Sequence, residues 1–178
     1  MVLFRYRPII TLLIRTTLLM VVCLSHRVSA QTSNDEVVFQ VALKNFQSAV
    51  LHRNPVKAAN MMNFPLFTSK TDFGSGEEMP ADAISLKEFE VYKNDIFNAE
   101  VSRILPKMRD DAVSEIDGNE DSYYAELKKR VDARSKMYEC YVQYPKKDGK
   151  GENYFAFIFG KIKNHYKVIA YYSKWPLR

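Results

Sequence analysis

The stretch MYECYVQYPKKDGKGENYFAFIFGKIKNHYKVIAYYSKW, residues 137–175, decides how this chain folds. It breaks into three runs, MYECYVQY, NYFAFIFG and HYKVIAYYSKW, parted by the turn signals KKDGKG and KN. Each run is dense in the aromatic and β-branched residues that fill a pleated surface, and connections this short make neighbouring strands antiparallel. Alternation puts Phe155, Phe157 and Phe159 on one face of the middle strand and Tyr154, Ala156 and Ile158 on the other. In the last strand it sets Tyr166, Val168, Ala170 and Tyr172 against Lys167, Ile169 and Tyr171. Both faces carry apolar bulk, so both need a partner: the chain upstream on one side, and curvature or a second subunit on the other.

The upstream chain is helical in pattern. Ser33 or Asn34 can cap a first helix, with Asp35 and Glu36 in its first turn, where negative charge suits the helix dipole. Val38, Ala42, Phe46 and Ala49 recur at steps of three and four beside Leu43 and Val50, which makes a broad apolar stripe. Asn54 stops it, and Pro55 opens a shorter helix, PVKAANMMNF, before the extended FPLF at Phe64 to Phe67. Thr68 to Ala83, with Gly74, Gly76 and Pro80, reads as a loop or irregular hairpin; its Gly-Ser-Gly lacks the GK[ST] of a phosphate loop. Ser85 and Glu88 form a capping box for a helix whose apolar face is Phe89, Tyr92, Ile96 and Phe97, and a further turn from Asn98 to Leu105 ends at Pro106.

Between Arg109 and Arg134 six acids fall within Asp110 to Asp121, the composition of a solvated loop. Asp117, Asn119 and Asp121 stand at positions one, three and five of a calcium loop. Ser122 then replaces the glycine of its sharp turn, and Lys128 stands where the bidentate glutamate belongs, so no calcium site is expected. DSYYAELKKR suits a helix capped at Asp121 or a strand leading into Met137.

Composition and charge bound the class. With 47% hydrophobic and 13% aromatic residues in 178, the chain is globular in type and about one domain long. Its net +5 is uneven: four of the 26 basic residues, Arg5, Arg7, Arg15 and Arg27, lie in the first thirty with no acid beside them. That leaves 22 bases against 21 acids, too even a balance to attract nucleic acid. Residues 1–30 have the layout of a secretory signal, with Arg5 and Arg7 before an apolar run from Pro8 to Leu24 and Val28-Ser29-Ala30 before a cut at Gln31. The run falls short of the ~20 residues of a spanning helix, and Val22 before Cys23 breaks the lipoprotein pattern. The reading is an exported chain, periplasmic or secreted, with residues 31–178 as a single domain and no stable membrane span after cleavage; the competing reading keeps the leader uncleaved as an anchor. Only Cys140 remains in it, so there is no internal disulfide, and a lone thiol within a strand is a small buried hydrophobe.

A long first helix, a short second one, FPLF, the capped SLKEF at Ser85 to Phe89 running into Tyr92 and Ile96-Phe97, then GKIKNHYKVIAY: this order and wording resemble the exported bacterial members of the nuclear transport factor 2-like (SnoaL-like, cystatin-like) superfamily. The resemblance covers most of Val37 to Trp175 and departs from the family at Asp110 to Arg134, where acids replace a glycine-containing strand. It implies an α+β fold in which a curved antiparallel sheet wraps around the long N-terminal helix as a cone, helices N-terminal and strands mainly C-terminal. It also implies a pocket open at one end and dimerisation through the sheet's outer face. The superfamily contains isomerases, dehydratases and cyclases as well as many members with no assigned activity, so fold alone assigns no reaction.

The residues favour a binding domain. His52 and His165, the only histidines after the leader, have no metal-ligand spacing with Cys140, and no nucleophile motif is present, so neither cofactor nor metal is expected. Tyr92, Tyr138, Tyr141, Phe157 and Tyr171 are the candidates for lining a pocket or an interface, taking a small apolar ligand, a protein partner or a second copy of the chain. The alternative is an isomerase-, dehydratase- or cyclase-like enzyme using a buried carboxylate, for which Glu139, set within an apolar strand, is the candidate acid.

Overall fold

Strand propensity, helix caps and two apolar stripes account for most of the elements in the computed structural model, which describes residues 34–68, 82–117, 122–174 and 177. The expected leader, Gly74 and Gly76, and Asn119 and Asp121 lie outside the described residues. The chain divides into two units, 1–37 and 38–178, and only the start of the first helix is described in the first. Among the described residues no helix is long and apolar enough to cross a membrane.

Helix α1 covers residues 34–51. Phe39, Leu43, Phe46, Ala49 and Val50 are its buried apolar residues, whereas Val38 and Ala42 are only half-buried. The stripe therefore centres on Phe39, whose steps of four and seven to Leu43 and Phe46 carry the same period. Helix α2 (Pro55–Asn60) is capped by Asn54, whose Oδ1 accepts the Lys57 amide at 2.9 Å. It ends sooner than its sequence suggests, because Met62, Asn63 and Phe64 already belong to strand β1 (Met62–Thr68). Strand β2 (Asp82–Ile84) pairs back on β1 antiparallel, Leu66 opposite Ile84. Helix α3 (Leu86–Ile96) has the full capping box: the Glu88 amide donates to Ser85 Oγ, and the Ser85 amide donates to Glu88 Oε2 at 2.7 Å. Helix α4 (Ala99–Ile104) starts from Asn98 in a new direction, and a 3-10 turn at Leu105–Lys107 follows.

The acidic stretch is not simply a loop. Val113–Ile116 form strand β3, and Ser122–Lys128 form helix α5. Ser114 and Glu115 are exposed and only Ile116 is buried, so the strand owes its existence to pairing with β4 rather than to its own composition. Strands β4 (Met137–Pro145), β5 (Glu152–Ile162) and β6 (His165–Ser173) then run antiparallel, as the aromatic runs require. The β5–β6 turn is the two-residue Lys163–Asn164 with φ of 50° and 65°, the hand that matches strand twist.

The six strands form one curved sheet in the order β2-β1-β6-β5-β4-β3. It is antiparallel except at one join: β1 lies parallel to β6, which corrects the all-antiparallel expectation. No short turn links those two strands, and about a hundred intervening residues leave their relative direction free.

The inner face of the sheet and α1 make the larger core. Phe39 stacks on Tyr138 with ring centroids 3.9 Å apart, and Phe46 meets Phe157 and Phe159 edge-on at 5.2 and 5.7 Å. On the outer face Phe67, Ile116, Met137, Ile158, Ile169 and Ala170 gather around Leu127 of α5. Simple alternation fails in β6, because Ile158 pairs with Ala170 but Phe159 pairs with Val168. Ile169 is thus a bulge, and every side chain after it changes face. Tyr171 consequently sits with Tyr166 and Val168 on the inner face, 5.0 Å from Phe157, while Ile169, Ala170 and Tyr172 belong to the outer one.

The segment after α5 is fastened over that outer face. Asp132 accepts the amides of Lys163 and Asn164 at 3.0 and 2.8 Å, and its own amide donates to the Lys161 carbonyl at 2.7 Å. Bonds from the Asn164 and then the Lys163 amide hold the Asp132 carboxyl below the usual carboxylate range. Arg130 lies over the Phe67 ring at 5.0 Å.

Candidate functional site

Three of the residues expected to line a pocket are core instead. Tyr138, Phe157 and Tyr171 are buried on the inner face, and the space around Phe157 is taken up by Phe46, Phe97, Phe155 and Tyr171, with ring centroids 5.0–6.2 Å away. Burial pushes the Tyr171 phenol up to about 12, so it is a neutral packing residue. Tyr92 is half-buried on α3 against the same core. Tyr141 lies on the opposite face, exposed and stacked on Tyr154 at 5.8 Å. The structure therefore does not bring these five together.

Glu139 is half-buried on the outer face, away from the inner core. Its Oε1 accepts both the Tyr124 hydroxyl of α5, at 2.8 Å, and the Tyr172 hydroxyl of β6, at 2.6 Å. Burial, then the Glu139 carboxylate, raise the Tyr172 phenol strongly. Two phenols converging on one oxygen tie α5 to two strands, which is the work of a structural bridge. Cys140 is fully buried, and desolvation followed by the neighbouring Glu139 charge pushes its thiol above the ordinary range. His52 and His165 are exposed, with their Nδ1 atoms 2.7 and 2.8 Å from the backbone carbonyls of Ser48 and Lys163. No group of acids, histidines and cysteines among the described residues could hold a metal ion.

The open space lies elsewhere, where the end of α1, α2, the end of α3 and α4 meet: a cleft of about 680 Å³, open to solvent. Helix ends build it. After α1 the Arg53 amide donates to Val50 and the Asn54 amide to Ala49, both at 3.0 Å, which turns the chain at Arg53 with φ of 51°. A non-glycine residue held there carries strain of about 1 kcal/mol. Asn98 sets the opposite wall: its Oδ1 accepts from Glu100 and Val101 at 3.0 and 3.1 Å, and its Nδ2 donates to Asp95 at 2.9 Å. Gln47, 6% exposed, donates to the carbonyls of Leu105 and Met108 at 3.1 and 3.2 Å, which fixes α1 against the turn after α4. Sequence reasoning passed over Gln47, although a lone amide within an apolar helical stripe signals a buried hydrogen-bonding duty.

The floor of the cleft is apolar, made by Ala49, Val50, Ala58 and Phe97. Its charged lining is Arg53, Lys93, Arg103 and Lys107, with no carboxylate among the described residues that line it. Lys93 pairs with Glu90 at 2.7 Å and Arg103 with Glu100 at 2.6 Å, each acid three residues earlier on the same helix. Arg53 and Lys107 are in no ion pair among the described residues, and both are exposed. None of these residues was singled out beforehand, because three turns of chain separated in sequence supply them.

No protein-family model, curated protein or solved structure matches this chain, so the cleft's role rests on its own geometry.

Proposed function

We propose that this chain is an exported, non-catalytic small-molecule-binding domain of the nuclear transport factor 2-like type, and that its ligand lies in the helical cleft rather than inside the sheet. The observation that carries the reading is the contrast between the two spaces. The inner face is filled by the chain's own rings, while the cleft has about 680 Å³, within the usual range for small-ligand sites. An apolar floor under a polar rim gives burial for a ligand's body and orientation for its substituents. The cleft's lining presents amides, a hydroxyl, amines and guanidinium groups, a set suited to holding a ligand and not to moving its protons near neutral pH.

N-phenyl-1-naphthylamine, an uncharged fluorescent probe, tests this directly. Its emission should rise on binding to the purified chain and rise less with Asn94→Trp, since Asn94 is an exposed lining residue whose enlargement narrows the cleft. Equal binding by the parent and the Trp variant, with unchanged melting temperature, would place the ligand elsewhere and refute the reading.

A further inference from the structure

We infer that the cleft selects amphipathic organic anions, molecules with an apolar body and one carboxylate, sulfonate or phosphate group. This deepens the ligand-binding reading and rests on it. Four cations line the space and no carboxylate joins them among the described residues. Outside the first thirty residues, by contrast, 22 basic residues face 21 acidic ones, so the local imbalance is not a reflection of overall charge.

The four cations are of two kinds. Lys93 and Arg103 are neutralised by Glu90 and Glu100, which stand behind them on α3 and α4. Glu100 also draws Lys147 to 3.8 Å. Arg53 and Lys107 have no such acid among the described residues, and they come from two separate elements, one from the turn after α1 and the other from the turn after α4. Gln47 ties α1 to the turn after α4 through the Leu105 and Met108 carbonyls, so the two backbone elements that carry these cations are held together by buried bonds. An anion entering between them gains two charge partners without breaking an existing ion pair. The apolar floor behind them decides that the anion must carry a hydrocarbon or aromatic body, because a bare ion would leave Ala58 and Phe97 wet.

Arg53 adds an argument of its own. At φ of 51° glycine is the residue the backbone favours, and the chain instead carries an arginine there, among the residues that line the cleft.

A matched pair of probes separates this inference from the one it rests on. 8-Anilinonaphthalene-1-sulfonate has nearly the same body as N-phenyl-1-naphthylamine plus one sulfonate. The parent chain should bind the sulfonate about tenfold more tightly at low salt, the size two or more rim cations supply, and the advantage should shrink toward unity by 0.5 M NaCl. Arg53→Gly and Lys107→Ala should each reduce that ratio severalfold, the neutral probe measured on the same variant serving as the reference for any change in the cleft itself. Decanoate should displace the sulfonate probe, and inorganic phosphate at the same concentration should not.

Equal affinity for the two probes, both weakened by Asn94→Trp, would overturn the anion selectivity and leave the cleft reading standing. No binding of either probe would remove both. Displacement by inorganic phosphate would overturn the amphipathic class in favour of a bare-anion site.

Discussion

Gly160→Ala is the sharpest test of how the outer face of the sheet is closed. Gly160 lies in β5 and is buried beneath the segment that follows α5. A Cβ placed there would stand 2.4 Å from Val131 Cγ1 and 2.8 Å from Ile169 Cδ1, where ordinary contact begins near 3.4 Å. The Ile169 methyl ends a flexible side chain and can swing away. Val131 Cγ1 cannot easily do so: valine is stiff at χ1, and its neighbour Asp132 is pinned by its amide to the Lys161 carbonyl of β5 and by its carboxylate to the Lys163 and Asn164 amides of the β5–β6 turn. Accommodating the methyl therefore means lifting the segment by about 1 Å, an overpacking cost of ~1–3 kcal/mol, offset by the ~0.5–1 kcal/mol of backbone entropy that alanine saves over glycine. The net loss should centre on ~1 kcal/mol, a fall of roughly 2–4 °C in melting temperature for a chain of this size. Val131→Ala alone should cost ~1 kcal/mol of burial, but added to Gly160→Ala it vacates the clashing position, so the pair should couple favourably by at least ~1 kcal/mol. Thermal and urea unfolding of the four proteins measure the cycle, and amide exchange in Ser122–Lys128 reports whether α5 loosens. A Gly160→Ala protein as stable as its parent, or a Val131→Ala partner that brings no rescue, would mean that the segment does not rest on β5 as described.

Two further outcomes follow from groups buried by the sheet. Cys140, tested with Cys23 replaced by serine, should react with a thiol-specific disulfide reagent no faster than the protein opens, and promptly in denaturant. Stoichiometric labelling of the native protein within minutes would contradict its burial. The raised phenols of Tyr171 and Tyr172 bind their protons more tightly folded than unfolded. Their contribution to stability is thus complete below the unfolded value of about 10 and declines as pH rises beyond it. Urea midpoints should hold from pH 8 to about 10 and then drop, less steeply in Tyr172→Phe, while a flat profile to pH 11.5 would refute the assignment.

These groups also bear on the second face of the sheet. The expectation of a dimer surface came from counting apolar residues on both sides of the strands, and the chain meets much of that demand itself with Leu127, Tyr123, Tyr124 and Val131. The edge of the patch that stays partly open is made by Tyr141 and Tyr154.

What could be read from the residues in order was local. The three aromatic strands, the Ser85–Glu88 cap, the stop at Asn54 and the strand at FPLF all follow from preferences acting over a few neighbouring residues, and they reappear in place. Strand β3 could not be read this way, because Val113–Ile116 is stabilised by β4 across some twenty residues of chain. Nor could the destination of Tyr171: one extra residue at Ile169 reverses the parity of the strand, and a bulge is chosen by pairing rather than by composition. The cleft was hidden for the same reason, since Arg53, Lys93, Arg103 and Lys107 become neighbours only when four helix ends meet. Sequence alone determined most of the helices and strands, through short-range sterics and periodic burial. Tertiary structure decided which faces those segments share, because that depends on contacts between residues far apart along the chain.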